Sequence, residues 1–184
     1  MKIMIASDIH GSAAYCKELL EAFDRESVDK LVLLGDILYH GPRNELPKEY
    51  APQEVISMLN NIKDSILCVR GNCDTEVDQM VLEFPILADY AILYLGSRMI
   101  YVTHGHIYNK KKMPPMKAGD ILLHGHTHVP VCEEIDDNGI MYMNPGSVSI
   151  PKENSAHSYM IITDEKIVWK NLEGQIYKEY LIIS

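Results

Sequence analysis

Residues 2–11 of the chain read KIMIASDIHG, and this stretch sets the expectation for the fold. The segment KIMIAS (2–7) is apolar and rich in β-formers, and it runs into a polar turn that begins at Asp8. The next segment, AAYCKELLEAF (13–23), carries apolar residues at helical spacing. A buried strand that enters a helix through a polar turn is typical of a βαβ unit, so we expect an α/β protein with parallel strands.

The rest of the first half repeats this pattern. KLVLLG (30–35) and ILCVRG (66–71) are short, continuous apolar runs, which are typical of strands buried on both faces. Between them, a loop interrupted by prolines leads into QEVISMLNNI (53–62), which has the pattern of a helix. Alternating strands and helices again favour a parallel sheet.

The second half consists mainly of paired strands. We predict two strands around Gly96-Ser97 within 90–105, two around an Asp-Asn-Gly turn within 131–144, two or three more within 159–182, and a buried strand in ILLHGHTH (121–128). Both halves fit in one core if two sheets pack face to face. The expected fold is therefore a single domain, 1–184, built as a four-layer α-β-β-α sandwich of two mixed β-sheets flanked by helices.

Composition narrows the class of protein. The chain has 184 residues, 47% of them hydrophobic and 23% charged, which is ordinary for one globular domain. Its cysteines, Cys16, Cys68, Cys73 and Cys132, are widely spaced, which argues against a zinc finger or a disulfide framework and predicts a reduced, cytoplasmic setting. Apolar runs are too short for a signal peptide or a membrane span, so we expect no membrane partner.

The net charge of the chain limits the kinds of molecule that it can bind. With 17 basic and 26 acidic residues the net charge is −9, which disfavours non-specific nucleic-acid binding. A small anionic substrate would need local positive charge, and metal ions would supply it.

Five short motifs carry the candidate chemistry, each at the carboxyl end of a predicted strand, where open α/β sheets bind their ligands. They are Ser7-Asp8-Ile9-His10, Gly35-Asp36, Gly71-Asn72-Cys73-Asp74, Thr103-His104-Gly105-His106 and Gly125-His126-Thr127-His128. In an extended chain, the side chains of residues two apart point the same way. Asp8 and His10 can therefore bind one ion, and His126 and His128 can point into the same cavity.

The candidate metal ligands are two aspartates, one asparagine and four histidines: Asp8, His10, Asp36, Asn72, His104, His126 and His128. Imidazole and carboxylate suit Zn, Fe, Ni and Mn, and no thiolate selects a softer metal. Seven ligands are too many for one catalytic ion with open positions. They suit two ions that share a bridging carboxylate.

In this order, the motifs D-x-H, G-D, G-N-x-D, H-G-H and G-H-x-H resemble the calcineurin-like metallophosphoesterase superfamily, and within it the small phosphodiesterases of the YfcE type. The resemblance spans residues 2 to about 152. It implies that Asp8, His10 and His128 bind a first ion, that Asn72, His104 and His126 bind a second, and that Asp36 bridges them.

The resemblance also implies a reaction. A hydroxide that bridges the two ions attacks phosphorus directly, with no covalent nucleophile, and Mn²⁺ is the expected activator, with Zn, Fe or Ni as alternatives. The substrate would be a small phosphodiester, and the protein would form a homo-oligomer, a dimer or larger.

Five further residues are expected to contact substrate or to orient the ligands: His40, Arg43, Cys73, Asp74 and His106. In many members of the family the position of Cys73 holds a His, which binds phosphate or protonates the leaving group. A neutral thiol is a weak donor, so we predict that Cys73 is neither nucleophile nor metal ligand and that phenolate leaving groups are favoured.

Each residue also has a purely structural interpretation. Asp8 and Asp36 could be helix caps or turn formers, Arg43 could be a solvated loop residue, and the histidines could be satisfied core residues. His124 is expected to orient a ligand or to pack, rather than to bind metal. The ordered set of motifs, rather than any one of them, favours a metal site.

Two other functions stay open. A scaffold like the small retromer subunit would share the fold and lack part of the ligand set, whereas here every ligand position is filled. A nuclease would carry extra capping or DNA-binding elements, for which this chain has no room.

Overall fold

The computed structural model describes residues 1–135 and 137–182, in which two β-sheets pack face to face. In chain order the elements are β1 (Ile3–Ala6), α1 (Ala13–Glu26), β2 (Lys30–Leu33), α2 (Pro52–Asn60), a 3-10 helix (Lys63–Ser65), β3 (Ile66–Cys68), α3 (Glu76–Gln79), β4 (Tyr90–Leu95), β5 (Arg98–Thr103), β6 (Ile121–Leu123), β7 (Val131–Ile135), β8 (Ile140–Asn144), β9 (Ser158–Ile162), β10 (Lys166–Asn171) and β11 (Ile176–Leu181). Within the described ranges, no helix has both the length and the apolar character that a membrane crossing requires.

The first sheet has the strand order β11-β10-β9-β1-β2-β3. Strands β1, β2 and β3 are parallel, as the βαβ pattern predicts, and β9, β10 and β11 join them in antiparallel fashion. The C-terminal strands therefore extend the N-terminal sheet, with β9 beside β1. The sheet is mixed, as expected.

The second sheet has the order β4-β5-β6-β8-β7. Its β4–β5 and β7–β8 pairs are the predicted hairpins. The pairs β5–β6 and β6–β8 are parallel, and local patterning did not predict them. In the β6–β8 pair, the hairpin places β8, rather than β7, beside β6, so that β7 is an edge strand.

The main cores lie on the two faces of the first sheet. One core fills the space between the sheets. It contains five side chains with 0% exposure: Ile5, Val102, Leu123, Met160 and Trp169. The other packs α1 and α2 against the outer face of the first sheet. The sandwich of two mixed sheets with flanking helices is thus confirmed, and the helices that pack on a core lie on the first sheet.

The outer face of the second sheet is covered by a loop segment, whereas helices cover the outer face of the first sheet. Its buried residues include Tyr101, Leu122 and Tyr142, and side chains of the segment 105–120, Tyr108 and Met113 among them, pack on this face. The structure has no helix in that segment. Pro114 and Pro115 interrupt it, and proline within a helix removes a hydrogen bond and clashes with the preceding turn. A loop therefore covers this face of the sheet.

Helix α1 shows how tertiary contacts extend an element. It begins at Ala13 as predicted, with Ser12 Oγ accepting a hydrogen bond from the Tyr15 amide at 3.3 Å, but it continues to Glu26. The Glu26 carboxylate accepts hydrogen bonds from Lys170 Nζ at 2.5 Å and Tyr159 Oη at 3.0 Å. These partners lie far along the chain, so helical periodicity alone could not predict this end.

Candidate metal centre

The seven predicted ligands lie on turns that follow β1, β2, β3, β5 and β6. Ligand atoms of Asp8, His10 and His128 lie within 4.8 Å of one another, as do those of Asp36, His104 and His126. The first group matches the trio that the sequence assigned to one ion. In the second group Asp36 joins two of the three residues assigned to the other ion.

Asp36 and Asn72 complete the arrangement. Asp36 Oδ2 lies 3.7 Å from His10 Nε2 and 3.5 Å from His104 Nε2, so it stands between the two groups. Asn72 Oδ1 lies 3.1 Å from His104 Nε2, which places the amide oxygen beside the second group. The structure therefore brings all seven predicted ligands together, with Asp36 in the position of a bridge.

Three of the four histidines predicted to bind metal are oriented in the same way. Their Nδ1 atoms donate to backbone carbonyls: His10 to Tyr39 at 2.7 Å, His104 to Leu34 at 2.6 Å and His128 to Ile150 at 2.6 Å. Because a carbonyl can only accept, these contacts fix the proton on Nδ1 in the neutral ring and leave Nε2 as a lone pair facing the cavity. His126 instead presents Nδ1, which lies 3.2 Å from His104 Nε2.

The facing atoms are suited to cations. His10 Nε2 and His128 Nε2 are 3.2 Å apart although neither carries a proton in the neutral rings. Asp8 Oδ2 accepts from Ser7 Oγ at 2.6 Å and from the His126 amide at 3.1 Å, whereas buried Asp8 Oδ1 has no hydrogen-bond partner. Since buried polar atoms normally have partners, this unpartnered oxygen and the facing lone pairs fit divalent metal ions.

The backbone at the ligands corrects one expectation. Positive φ occurs at five of the seven: Asp8 (59°), His10 (49°), Asp36 (56°), His126 (66°) and His128 (63°). The paired ligands do converge, but through left-handed turns beyond the strand ends rather than through the alternation of extended chain. Left-handed backbone costs about 1–3 kcal/mol at a residue other than glycine, so surrounding contacts must hold these turns in place.

Two glycines allow the turns to pack against each other. A Cβ atom at Gly71 would lie 2.1 Å from Asp36 Oδ1, and one at Gly125 would lie 2.0 Å from Ser7 Oγ. Any side chain at either position would push the ligand turns apart. The glycines of these motifs thus serve the contact between turns.

Asp74 holds two of the turns together. Its buried carboxylate accepts hydrogen bonds from the amides of Gly71 at 2.7 Å, Asp36 at 2.8 Å and Ile37 at 2.9 Å. This contact with the backbone of Asp36 agrees with the expectation that Asp74 orients ligands. Burial, the largest effect on this carboxyl group, raises its pKa.

Sequence reasoning missed a third support. Ser147 Oγ and Ser149 Oγ donate to the Asp8 carbonyl at 2.9 and 3.0 Å. Asn144 Nδ2 donates to the Gly125 carbonyl at 2.8 Å and to Thr127 Oγ1 at 3.0 Å. The only signal was the segment NPGSVSIPK (144–152), to which the motif analysis gave no role.

The electrostatics reflect close packing of carboxylates and imidazoles. Burial opposes ionisation of Asp8, but contacts with His10 and His128 outweigh it and hold its pKa well below the usual range. Burial likewise lowers the pKa of His104, but Asp36 and Asp8 outweigh it and raise that pKa to about 9. Protons therefore neutralise part of the site when no cation does, and metal ions would compete with them.

An open cavity of about 400 Å³ reaches the ligands. Predicted Arg43 lines it, and so do Lys152 and Asn44, which sequence reasoning missed. These two cationic side chains give the cavity local positive charge, although the chain as a whole is acidic.

The other predicted histidines lie beside the cavity, outside the lining found for the described residues. His40 packs edge-on against the rings of Tyr39 and Tyr50, with centroids 4.8 and 5.2 Å away. His106 lies with its ring centroid 5.3 Å from that of His104. His124 is stacked on Tyr142 at 3.9 Å, which agrees with the packing role expected for it.

Cys73 does line the cavity. Its amide donates to Asp36 Oδ1 at 2.8 Å, and burial, together with Asp36, raises the thiol pKa to about 12. A protonated thiol is a poor nucleophile, in agreement with its predicted exclusion from that role. Its sulfur lies within 4.8 Å of ligand atoms of His10 and Asp36, so the statement that it binds no metal stays a prediction.

Comparison with known proteins gives consistent results. The family model of the calcineurin-like phosphoesterase superfamily domain matches residues 1–166. Phosphodiesterase YfcE of Escherichia coli strain K12 is 46% identical over 165 residues, which cover 90% of this chain and 89% of YfcE.

Solved structures agree. The structure of YfcE, a phosphoesterase from E. coli, matches with a TM-score of 0.94 and 42% identity, covering 100% of each chain. Vacuolar Protein Sorting 29 from Cryptosporidium parvum matches with a TM-score of 0.61 and 19% identity, covering 98% of each chain, and this likeness concerns the fold alone.

Proposed function

The chain belongs to the calcineurin-like phosphoesterase superfamily and is a homologue of phosphodiesterase YfcE, and we propose that it hydrolyses small phosphodiesters with the help of two divalent metal ions. The observation that carries this proposal is the convergence of seven metal-ligating side chains, with a buried, unpartnered Asp8 Oδ1 among them. A purely structural cluster would pair this buried oxygen with a hydrogen-bond donor.

The residues divide between two ions. Asp8, His10 and His128 would hold one, Asn72, His104 and His126 would hold the other, and Asp36 would contact both. When bound, such ions supply a nucleophilic hydroxide from water at neutral pH and neutralise the charge that develops on phosphoryl oxygens. The oxygen and nitrogen donors suit Mn²⁺, our proposed native ion, and also accept Zn, Fe or Ni.

The chain itself would bind and orient the substrate. Arg43 and Lys152 line the cavity and would attract the phosphate group of a diester. The carbonyl contacts of the three Nδ1 atoms and the Asp74 carboxylate keep the ligands in place, so little reorganisation is needed. The neutral Cys73 thiol supports direct hydrolysis without a covalent nucleophile.

The state of the cysteines indicates the cellular compartment in which the protein works. All four are free, and Cys16 and Cys68 are buried in the core. Free thiols are typical of proteins in reducing compartments, so we place the enzyme in the cytoplasm.

A non-catalytic scaffold is the second candidate, because Vacuolar Protein Sorting 29 has the same fold. Fold likeness at 19% identity does not separate the two functions. The complete ligand set and the cationic cavity favour the enzyme.

The test is hydrolysis of bis(p-nitrophenyl) phosphate compared with p-nitrophenyl phosphate. Metal-stripped protein should be inactive, and Mn²⁺ should restore cleavage of the diester, with Mg²⁺, Zn²⁺ and Ni²⁺ compared in parallel. His126→Ala should lower the rate by about 100-fold or more, because it removes a ligand. His157→Ala is the matched control, because His157 stacks on Tyr15 and is not among the residues that line the cavity. Bound metal without turnover of any small diester would favour the scaffold instead.

A further inference from the structure

A second cavity, of about 420 Å³, opens beside the metal centre. Its walls come from three parts of the chain: Tyr39 follows β2, Pro52 and Ile56 belong to α2, and Val77 and Val81 lie in and after α3. We call this cavity the apolar groove. Its walls contrast with the metal-ligand cavity, which carries Arg43 and Lys152.

The carboxylate that lines the groove already has hydrogen-bond partners within the protein. Asp78 also lines it, but its Oδ2 accepts hydrogen bonds from the Thr75 amide at 2.7 Å and from Thr75 Oγ1 at 2.8 Å, in the capping box of α3. This carboxylate is therefore committed to the fold. What the groove offers a ligand is mainly aliphatic and aromatic surface.

The groove adjoins the metal centre. Cys73 lines both cavities, and its sulfur lies within 4.8 Å of ligand atoms of His10 and Asp36. Tyr39 makes a second link, since its carbonyl accepts the His10 Nδ1 proton at 2.7 Å while the residue lines the groove. A phosphorus atom held at the ligands would thus have one ester substituent within reach of the groove.

Three of the apolar side chains that line the groove are exposed. Val77 is 70% exposed, Val81 44% and Tyr39 43%. Clustered apolar exposure is unfavourable in water, and a ligand that covers it gains about 25 cal/mol for each Å² removed from solvent.

We propose that the apolar groove binds an alkyl or aryl ester substituent of the substrate, so that the enzyme selects phosphodiesters carrying at least one apolar group. This inference rests on the proposed phosphodiesterase function. It assigns substrate preference to α2, α3 and Tyr39, none of which supplies a metal ligand. The proposed occupant is part of the substrate rather than a partner protein, because the groove lies next to the ligand cavity and shares Cys73 with it.

The experiment measures binding of methyl-, butyl- and hexylphosphonate to the Mn²⁺-loaded protein by calorimetry. Each phosphonate carries one apolar group, so the result does not depend on which ester of a diester leaves. In the wild-type protein, affinity should rise about two- to four-fold for each methylene that enters the groove. The double variant Val77→Asn/Val81→Asn should bind methylphosphonate as the wild type does and lose the dependence on chain length. Ile176→Asn, at an exposed apolar position on β11, should retain that dependence.

Two results would overturn the inference: equal affinity for all three phosphonates in the wild type, which would leave the groove to another occupant such as a partner protein, or an unchanged chain-length dependence in the double variant. If the double variant does not fold, Val77→Asn alone serves, with a reduced dependence expected. Turnover of bis(p-nitrophenyl) phosphate, measured on the same samples, separates the two claims. Absence of turnover with chain-length dependence intact contradicts the phosphodiesterase, whereas turnover without that dependence contradicts the groove.

Discussion

At the level of single residues, five of the seven proposed ligands adopt unfavourable backbone conformations. Positive φ is uncommon at residues other than glycine, yet His10, His126 and His128 all adopt it. Each is held by contacts with a neighbouring turn, such as the bond from His128 Nδ1 to the Ile150 carbonyl at 2.6 Å. Such strain is common at functional sites, where geometry is maintained at the expense of stability.

This strain gives the first prediction. At position 126, where φ is 66°, glycine should be favoured over alanine, because it adopts left-handed backbone without a Cβ penalty. Metal-free His126→Gly should therefore be about 1 kcal/mol more stable than metal-free His126→Ala in urea unfolding. Asn72, whose φ is not positive, is the control, and there alanine should be at least as stable as glycine. Equal stabilities of the two variants at 126 would show that this turn is not strained.

The sequence indicated the proposed ligands but not this geometry. Asp8, His10 and the other proposed ligands could be picked out because they belong to short motifs at the ends of apolar runs. Their left-handed turns depend on contacts with other turns, such as the close approach of Gly71 to Asp36. Such contacts join residues far apart in the chain, and no local pattern encodes them. Lys152 was missed for the same reason, since only the folded chain places it at the cavity.

At the level of elements, Asp74 joins the turn after β3 to the turn after β2. Asp74→Ala would leave three buried backbone amides without an acceptor, so we expect a loss of about 3 kcal/mol in the free energy of unfolding. Urea denaturation of the metal-free protein measures it. Asp164→Ala, which removes an exposed carboxylate, should change stability by less than about 0.5 kcal/mol. A loss at position 74 no larger than that at 164 would contradict the role given to Asp74.

Strand pairing shows where sequence patterns stop being informative. The parallel order β1-β2-β3 followed from alternation with α1 and α2, because a helical crossover joins parallel neighbours. The parallel pairs β5–β6 and β6–β8 have no such crossover. One connection is the segment 104–120, whose apolar side chains cover the outer face of the sheet, and the other passes through the edge strand β7.

At the level of the whole molecule, the site couples stability to pH. The pKa of His104 is raised to about 9 in the folded protein, above its ordinary value near 6.5. A raised pKa contributes stability that is fully present below the unfolded-state pKa and is lost as pH rises through the folded-state pKa. The melting temperature of the metal-free protein should therefore fall between about pH 6.5 and pH 9.

The control removes the titrating group. Metal-free His104→Gln should show a smaller fall over the same range. With Mn²⁺ the dependence should reverse, because metal binding releases protons and strengthens as pH rises. A melting temperature of the metal-free wild type that is constant across this range would contradict the electrostatics of the site.

The central claim is that the convergent turns form a two-metal phosphodiesterase centre. Its most direct test is a titration of metal-free protein with Mn²⁺, in which bound metal and the rate of bis(p-nitrophenyl) phosphate hydrolysis are measured on the same samples. We predict that activity rises to a plateau at about two ions per chain and that His126→Ala reaches neither that occupancy nor that rate. Turnover that saturates without bound metal, or two bound ions with no turnover, would contradict the claim.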